Sequence, residues 1–297
     1  MTLEQLRIFV AVAEREHVTK AAQAINITQS AASSAIAALE ARYNTPLFHR
    51  IGRRIELTEA GRLFLVEARG VLARAEAAER VLGELAGCLN GSILLQASQT
   101  IANYWLPPVI VRFREKHPGV TATLGIGNTE QVAAAVRAGI ADMGFVEGEI
   151  DDPVLSRRAL QGDELVLVVG ARHPWADQSS LPPQDLMQTN WVLREPGSGT
   201  RAIFESALSR LGLDPSALSV SLELPSNEAV CAAVQAGAGA TAISALVVGP
   251  WLKAGTLRAV PFALPKRRFF LLRHKERTLS HAERAFLDVI AASRQFI

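Results

Sequence analysis

Apolar positions recur at helical spacing through the first sixty residues, then give way to short apolar runs alternating with helical patterns. Over residues 3–16, Leu6, Phe9, Val10 and Ala13 share one face, the signature of a helix that buries one side. A short helix is predicted over 19–25, where the small side chains of Ala21 and Ala22 permit a close crossing. After Asn26 and Ile27, Thr28 is placed to cap a further helix running through Leu39 and Glu40. Ala32, Ile36 and Leu39 fall at i, i+4 and i+7 and face inward, while Gln29, Ser30, Ser33 and Ser34 lie largely outside that stripe. Residues 47–57 read as two short strands turning near Gly52. Thr58 then caps a long helix from 59 to about 85, with Leu, Ala, Leu, Ala, Leu and Ala at 65, 68, 72, 75, 82 and 86, a near-heptad seam interrupted at Glu79. A seam of that spacing pairs with a second copy; the alternative is a helix lying on its own domain.

Gly87, Cys88, Leu89, Asn90 and Gly91 form a linker. Beyond it, strands are predicted at 93–97, 121–126, 143–146, 164–169, 191–193, 219–224, 240–243, 257–260 and 268–273. Helices are predicted at 104–117, 129–138, 180–187, 200–210, 227–236, 246–254 and 281–296. Alternation of this kind implies parallel sheets and an α/β fold. More than 200 residues of it divide into two lobes, with crossings near Gly162 and Asp163 and again near Pro265 and Lys266. The expected organisation is therefore an all-α winged unit over 1–58, a linker and dimerisation helix over 59–87, and an α/β two-lobed body over 88–297. In that body, lobe I spans 92–162 and 266–297, and lobe II spans 163–265.

Composition sharpens this picture. With 49% hydrophobic and 20% charged residues among 297, a sizeable core is expected. The net charge of +2 is too small for a general polyanion binder, but residues 1–58 hold seven Lys/Arg against five Asp/Glu, so the whole excess sits in the first fifth. Cys88 and Cys231 stand far apart, which offers neither a disulfide framework nor a cysteine metal site. No signal-peptide pattern opens the chain and no apolar run reaches a membrane span, so a soluble, cytoplasmic protein with no membrane partner is expected.

The first unit carries chemistry for double-stranded DNA. Thr28, Gln29, Ser30, Ser33 and Ser34 are short polar side chains that can reach phosphates or base edges without holding a helix off the major groove. Behind them Arg50, Arg53 and Arg54 lie on the two-stranded wing, where phosphates would pass. Serines on a helix can also be its solvated face; the tight turn before them and the arginines after them favour a helix-turn-helix.

Three loops of the body lead from a strand into a helix: Ser98, Gln99, Thr100 and Ile101; Gly127, Asn128 and Thr129; and Arg194 through Arg201. Helix N-termini present free N–H groups and partial positive charge, so converging ones make an anion site. Ser98, Thr100, Thr129, Ser198 and Thr200 add hydroxyls, and Gly197 and Gly199 allow close backbone approach. Ordinary capping explains any one loop; three at strand C-terminal ends favour a ligand. Glu147 ends a buried strand and points into the same crevice, to pair with Arg194 or Arg201, to close the lobes, or to meet the ligand. Asn227 is a further candidate contact. No catalytic apparatus, cofactor motif or metal site is legible: a Gly-x-Ser-x-Gly elbow and a third dinucleotide-loop glycine are missing, and the six histidines are scattered. An enzyme or a non-regulatory α/β binding protein is the alternative.

Taken together, Ala21, Ala22, Leu39, Glu40, Leu47, Phe48, Arg50 and Arg54, then Leu57, Thr58, Glu59, Ala60 and Gly61, make the chain resemble a LysR-type transcriptional regulator over its whole length. Gly139 to Phe145 resembles the family's strand entering the cleft between lobes. The resemblance implies a winged helix-turn-helix that binds promoter DNA, and a periplasmic-binding-protein-like effector domain holding a small coinducer between its lobes. It also implies a homodimer or homotetramer, and it leaves room for RNA polymerase as a further partner. Many members carry an arginine or glutamine where this chain has Ser34 and Ala35, so the wing and DNA shape are expected to carry more of the readout. The loops at 127–129, 147–148 and 194–201 are similar to those of a branch that includes sulfite-responsive and carbon-fixation regulators. That many donors suits a small anionic effector, either an oxyanion or a carboxylate or sulfonate metabolite.

Overall fold

The computed structural model describes residues 1–51, 54–85, 91–148 and 150–292; at 50, 51, 54, 77 and 80–85 it describes the backbone alone. The chain folds as two compact units dividing close to residue 88.

In the N-terminal unit, α1 (Leu3–Arg15) is opened by Thr2, whose hydroxyl accepts from Gln5 N while the Gln5 side chain accepts from Thr2 N. It ends on Glu16 in the left-handed region. The pattern of residues 3–16 promised one apolar face, and the helix uses two. Leu6, Phe9 and Ala13 pack with Leu39, Leu47 and Leu57, whereas Ile8, Ala11 and Val12 pack with Ala21, Ala22, Ala32 and Ile36. The short helix α2 (Val18–Ala24) starts one residue earlier than expected because the His17 ring nitrogen accepts from Lys20 N. The Thr28 hydroxyl accepts from Ala31 N and caps α3 (Gln29–Tyr43), whose buried residues are Ala32, Ile36 and Leu39. Strands β1 (Phe48–Ile51) and β2 (Arg54–Leu57) pair antiparallel as the wing.

Helix α4 (Glu59–Leu85) corrects part of the expected seam. Leu65, Ala68 and Leu72 pack into the core around Phe9 and Leu39, so this stretch lies on its own domain. Leu63, Val66 and Val71 are the exposed apolar side chains. Of the rest, Leu82 has no described side chain and Ala86, like the linker at 87–90 and Arg53, lies outside the described residues.

The C-terminal unit is organised by one nine-stranded sheet. Its first part joins β3 (Ser92–Ser98), β4 (Thr121–Gly127), β5 (Met143–Glu147) and β11 (Lys266–His274); its second joins β7 (Asn190–Arg194), β8 (Ser219–Leu224), β9 (Ala240–Ser244) and β10 (Leu257–Val260). Between them runs β6 (Leu155–Gly170), which pairs with β11 up to Glu164 and with β9 from Leu165 onward. The change of partner falls between Glu164 and Leu165 within one unbroken strand, and not at the start of a strand at 164. The expectation of parallel sheets holds for β3 with β4 and β5, and for β7 with β8 and β9. The pairs made by β6 and β11 are antiparallel, because these strands carry the chain from one lobe to the other and back.

Each lobe is a sheet with a core on both faces. In lobe I, Phe113 of α5 (Leu106–Lys116) and Phe286 of α10 (His281–Ala292) cover one side, and Val132 and Val136 of α6 (Thr129–Arg137) the other. In lobe II, Phe204 and Leu208 of α7 (Gly199–Arg210) pack with Trp191 and Trp175 on one side. Val230 and Val234 of α8 (Asn227–Gln235) and Val247 of α9 (Ala245–Lys253) form the other. The helix expected from 104 begins at Gln99, directly on the end of β3. One π-turn, Ile101–Trp105, precedes α5, where Pro107 and Pro108 remove two N–H donors and a regular i→i−4 ladder cannot continue. The helix expected at 180–187 is only a 3₁₀ turn, Pro183–Gln188, since Leu181 and Pro182 each precede a proline and are biased to the extended region, where Pro182 sits at ψ 141°. Among the described residues no helix is long and apolar enough to cross a membrane.

Candidate functional site

On the N-terminal unit, Thr28, Gln29, Ser30 and Ser34 are exposed and Ser33 is half-buried. The Thr28 and Ser30 hydroxyls lie 3.0 Å apart and Gln29 Nε2 donates to Ser33 Oγ at 3.4 Å, so the polar face of α3 is loosely linked and open to outside partners. The wing is tied to this helix by Glu40, whose Oε1 accepts from Leu47 N at 2.7 Å and Phe48 N at 3.1 Å. Arg50 and Arg54 occupy β1 and β2, near the turn end of the ladder.

In the C-terminal unit, the parallel strands set two groups of loops face to face. Ser98 ends β3 beside Gly127 of β4, and β5, whose Phe145 is level with Ala97, ends two residues on at Glu147. Across the gap, Arg194 ends β7 level with Leu224 of β8, and α7 and α8 follow. Helix N-termini from both lobes thus approach one another, as open α/β sheets arrange around a ligand. Ser98, Thr100, Asn128, Thr129, Glu147, Arg194, Ser198, Thr200 and Asn227 are all buried here, although all are polar.

Part of this polar set is used to hold the lobes together. Gln99 Nε2 donates to Pro225 O at 2.7 Å and Gln99 Oε1 accepts from Asn227 N at 3.0 Å. Asn227 Nδ2 donates to Thr100 Oγ1 at 3.3 Å, and its Oδ1 accepts from Arg194 Nη1 at 2.6 Å. The Tyr104 hydroxyl donates to Glu228 at 3.2 Å; burial, then the Glu228 charge, push its pKa up to about 12. A second bridge runs from Asn128 Nδ2 to Pro196 O and from Glu130 N to Gly197 O. Gly197, at φ 84°, makes the tight turn, and a Cβ at Gly199 would lie 2.3 Å from Glu147 O, so only glycine permits this approach.

Other donors are left over. Ser98 Oγ is buried with no hydrogen-bond partner among the described residues. Ser198 occupies the N-cap of α7 without its hydroxyl capping the helix. Thr100 and Thr200 each accept a hydrogen bond, from Asn227 and from Arg267, so each hydroxyl proton remains to be donated. Arg194 spends three of its five N–H groups, two on Glu195 and one on Asn227. Thr129 differs: its hydroxyl donates to Glu147 O at 3.2 Å.

Of the readings open for Glu147, pairing with Arg194 or Arg201 does not occur among the described residues. Arg194 turns to Glu195, and Arg201 binds Glu205 at 2.7 Å, Glu223, and Arg194 O. Proximity in sequence gave both arginines nearer carboxylates. The pattern of residues 268–273 also missed Arg267. Starting the strand at Lys266 puts Arg267 on the inward face with Phe269 and Leu271, a signal that strict alternation would have found. The Arg267 guanidinium is buried, pairs with Asp163 and donates to Thr200 Oγ1 at 2.9 Å, while the Ser244 hydroxyl donates to the same Asp163.

A cleft of about 950 Å³ opens between the lobes, lined by Thr129, Glu147, Ser198, Gly199, Arg267 and Phe270 among others; Ser98, Thr100, Arg194, Thr200 and Asn227 do not line it. Among the described residues no group of three or more His, Cys, Asp or Glu could hold a metal ion. Cys231 is buried, and burial pushes its thiol pKa up to about 12, which leaves it unreactive.

Residues 3–62 match the family described as "Bacterial regulatory helix-turn-helix protein, lysR family", and residues 86–295 match "LysR substrate binding domain". The chain is 36% identical to the "Uncharacterized HTH-type transcriptional regulator YeiE" of Escherichia coli strain K12, over 97% of this chain and 96% of that one. It is 35% identical to a "Probable RuBisCO transcriptional regulator" of Cyanidioschyzon merolae, over 96% of each. The regulatory domain of Synechocystis PCC6803 CcmR, solved in complex with 2-PG, superposes with a TM-score of 0.63 at 27% identity, covering 69% of this chain and 98% of that one.

Proposed function

Since the chain belongs to the LysR family of transcription regulators, with a DNA-binding helix-turn-helix and an effector-binding domain, we propose that its effector is a small anion held between the lobes. The observation that carries this reading is the excess of donors: Ser98 Oγ has no partner among the described residues, and Ser198, Thr100, Thr200 and Arg194 have protons to give. Buried donors without acceptors cost free energy, which an acceptor-rich ligand recovers. That 2-PG occupies the CcmR regulatory domain supports an anion in the same kind of domain. The cleft is read as a binding site and not an active site.

In this reading, Thr28, Gln29, Ser30, Ser33 and Ser34 meet the major groove while Arg50, Arg53 and Arg54 hold phosphates. Domain bounds of 1–58, 59–87 and 88–297 go with it, as do a cytoplasmic location, a homotetramer built of dimers, and contact with RNA polymerase. The outward face of α4, with Leu63 and Val66, serves pairing better than the 65, 68 and 72 positions, which pack on the core of their own unit. The test is calorimetry of the full chain against oxyanions, carboxylates and neutral analogues, alongside DNA protection with and without each. Tight binding of a neutral aromatic and silence toward every anion would overturn the assignment.

A further inference from the structure

The chain crosses between the lobes twice, outward on β6 and back on β11, and the two crossings meet at one buried cluster. Asp163 and Arg267 are register partners, and the guanidinium holds both carboxylate oxygens, Nε on one and Nη2 on the other at 3.0 Å. Their side chains are 5% and 1% exposed. The remaining partners all belong to lobe II. Arg267 Nη1 donates to Thr200 Oγ1 at 2.9 Å in the first turn of α7. The Ser244 hydroxyl donates to Asp163 while it accepts from Leu246 N at 3.1 Å as the cap of α9. Directly on the lobe I side the ladder is interrupted. There β6 carries Gln161 and Gly162 where β11 carries only Arg268, a bulge at which the strand bends. A Cβ at Gly162 would lie 1.8 Å from Arg267 O, so the two strands approach this closely only over glycine.

The bridges through Gln99, Asn128 and Glu130 join loops at the strand ends, whereas this cluster sits on the crossing strands themselves. A domain that reports a ligand does so through arrangements that the ligand favours unequally. In a two-lobed body that variable is the angle between the lobes, and the crossing strands are its axis. We propose that Asp163 and Arg267 form a clamp that sets this angle. It fastens both crossing strands to the first turns of α7 and α9 in lobe II, and it leaves the bulge at Gln161 and Gly162 as the point that bends. A bidentate pair suits that task, because its two parallel bonds fix direction as well as distance. The clamp stands whether or not the cleft takes an anion.

Double electron–electron resonance on the full chain tests this, with Cys88→Ser and spin labels on Arg114→Cys in α5 and Leu211→Cys in lobe II, both exposed positions. Cys231 is buried and takes no label, and dilution with unlabelled protein removes distances between copies. The inter-lobe distance distribution should be narrow in the parent protein. Asp163→Asn with Arg267→Met opens the clamp without stranding a charge and should widen that distribution. A second label pair within lobe II, Leu211→Cys with Arg258→Cys, should keep its distance. Thr200→Val leaves the ion pair in place and should widen the inter-lobe distribution by less. A lowered melting temperature with the inter-lobe distribution unchanged makes the pair a stabiliser only and overturns the proposal. A broad distribution in the parent protein overturns it too, as does widening of the pair within lobe II. If the paired change fails to fold, Thr200→Val decides by the same reading.

Discussion

A hydroxyl with no partner behaves differently from one that holds the fold, and Ser98 allows the two to be separated. Its Oγ makes no bond within the described residues, so Ser98→Ala should leave the melting temperature unchanged or raise it. The same substitution should weaken effector binding by about 1–3 kcal/mol, the usual worth of a hydrogen bond to a charged group, as calorimetry would read. A lowered melting temperature would mean that the hydroxyl serves the fold. Glu283 gives a second test. Burial, reinforced by the Asp142 charge, raises its pKa against the pull of Ser280 N, Arg277 and Arg273. A carboxyl with a raised folded pKa contributes stability below its unfolded value and loses it as pH rises through the folded one. Glu283→Gln should therefore gain in melting temperature over the parent protein above that range and show no gain at low pH. Residues such as Ser98, Thr100 and Asn227 were legible in the sequence because strand ends and caps have a recognisable spelling. Their partners were not. Which hydroxyl stays free depends on what the opposite lobe offers, and no local pattern carries that information.

Elements were read more surely than their faces. The helix-turn-helix followed from Thr28 and the Ala32, Ile36, Leu39 stripe, and the wing from a turn between two short apolar runs. Substituting Arg50, Arg53 or Arg54 by Ala should weaken binding to all DNA sequences and lower the slope of log affinity against log salt by close to one unit each. An unchanged slope in a salt titration would remove phosphate contact from the wing. Helix α4 shows why faces are harder. Small and apolar residues occur around much of its circumference, so a heptad count could choose 65, 68 and 72 where packing against α1 decided. Leu72→Glu should consequently destabilise the N-terminal unit by placing a charge against its core, read as a lowered melting temperature. Leu63→Glu with Val66→Glu should leave the fold intact and shift the protein toward monomer in sedimentation. Dimer persisting through the double change would place the pairing face elsewhere.

At the scale of the molecule, the two lobes are joined by a charged crossing that composition could not reveal. Asp163 and Arg267 lie opposite each other on β6 and β11, and their network reaches Thr200 and Ser244 in lobe II. Asp163→Asn strands a buried guanidinium and should lower stability by about 3–5 kcal/mol in denaturant unfolding, whereas an apolar replacement of both partners should cost less. Equal losses would argue that packing, not charge, sets the effect. The strand that carries this crossing also governs the order in which the protein is made. On a ribosome β6 emerges more than ninety residues before β11, its partner through Glu164, while β9 and β10, its partners from Leu165 onward, emerge first. Lobe II can close on the nascent chain as a unit, but the first half of β6 waits with bare N–H and C=O groups until residues 266–274 arrive. A chain stopped at 265 should show amide-exchange protection in lobe II, none along 155–163, and a tendency to aggregate through that waiting edge.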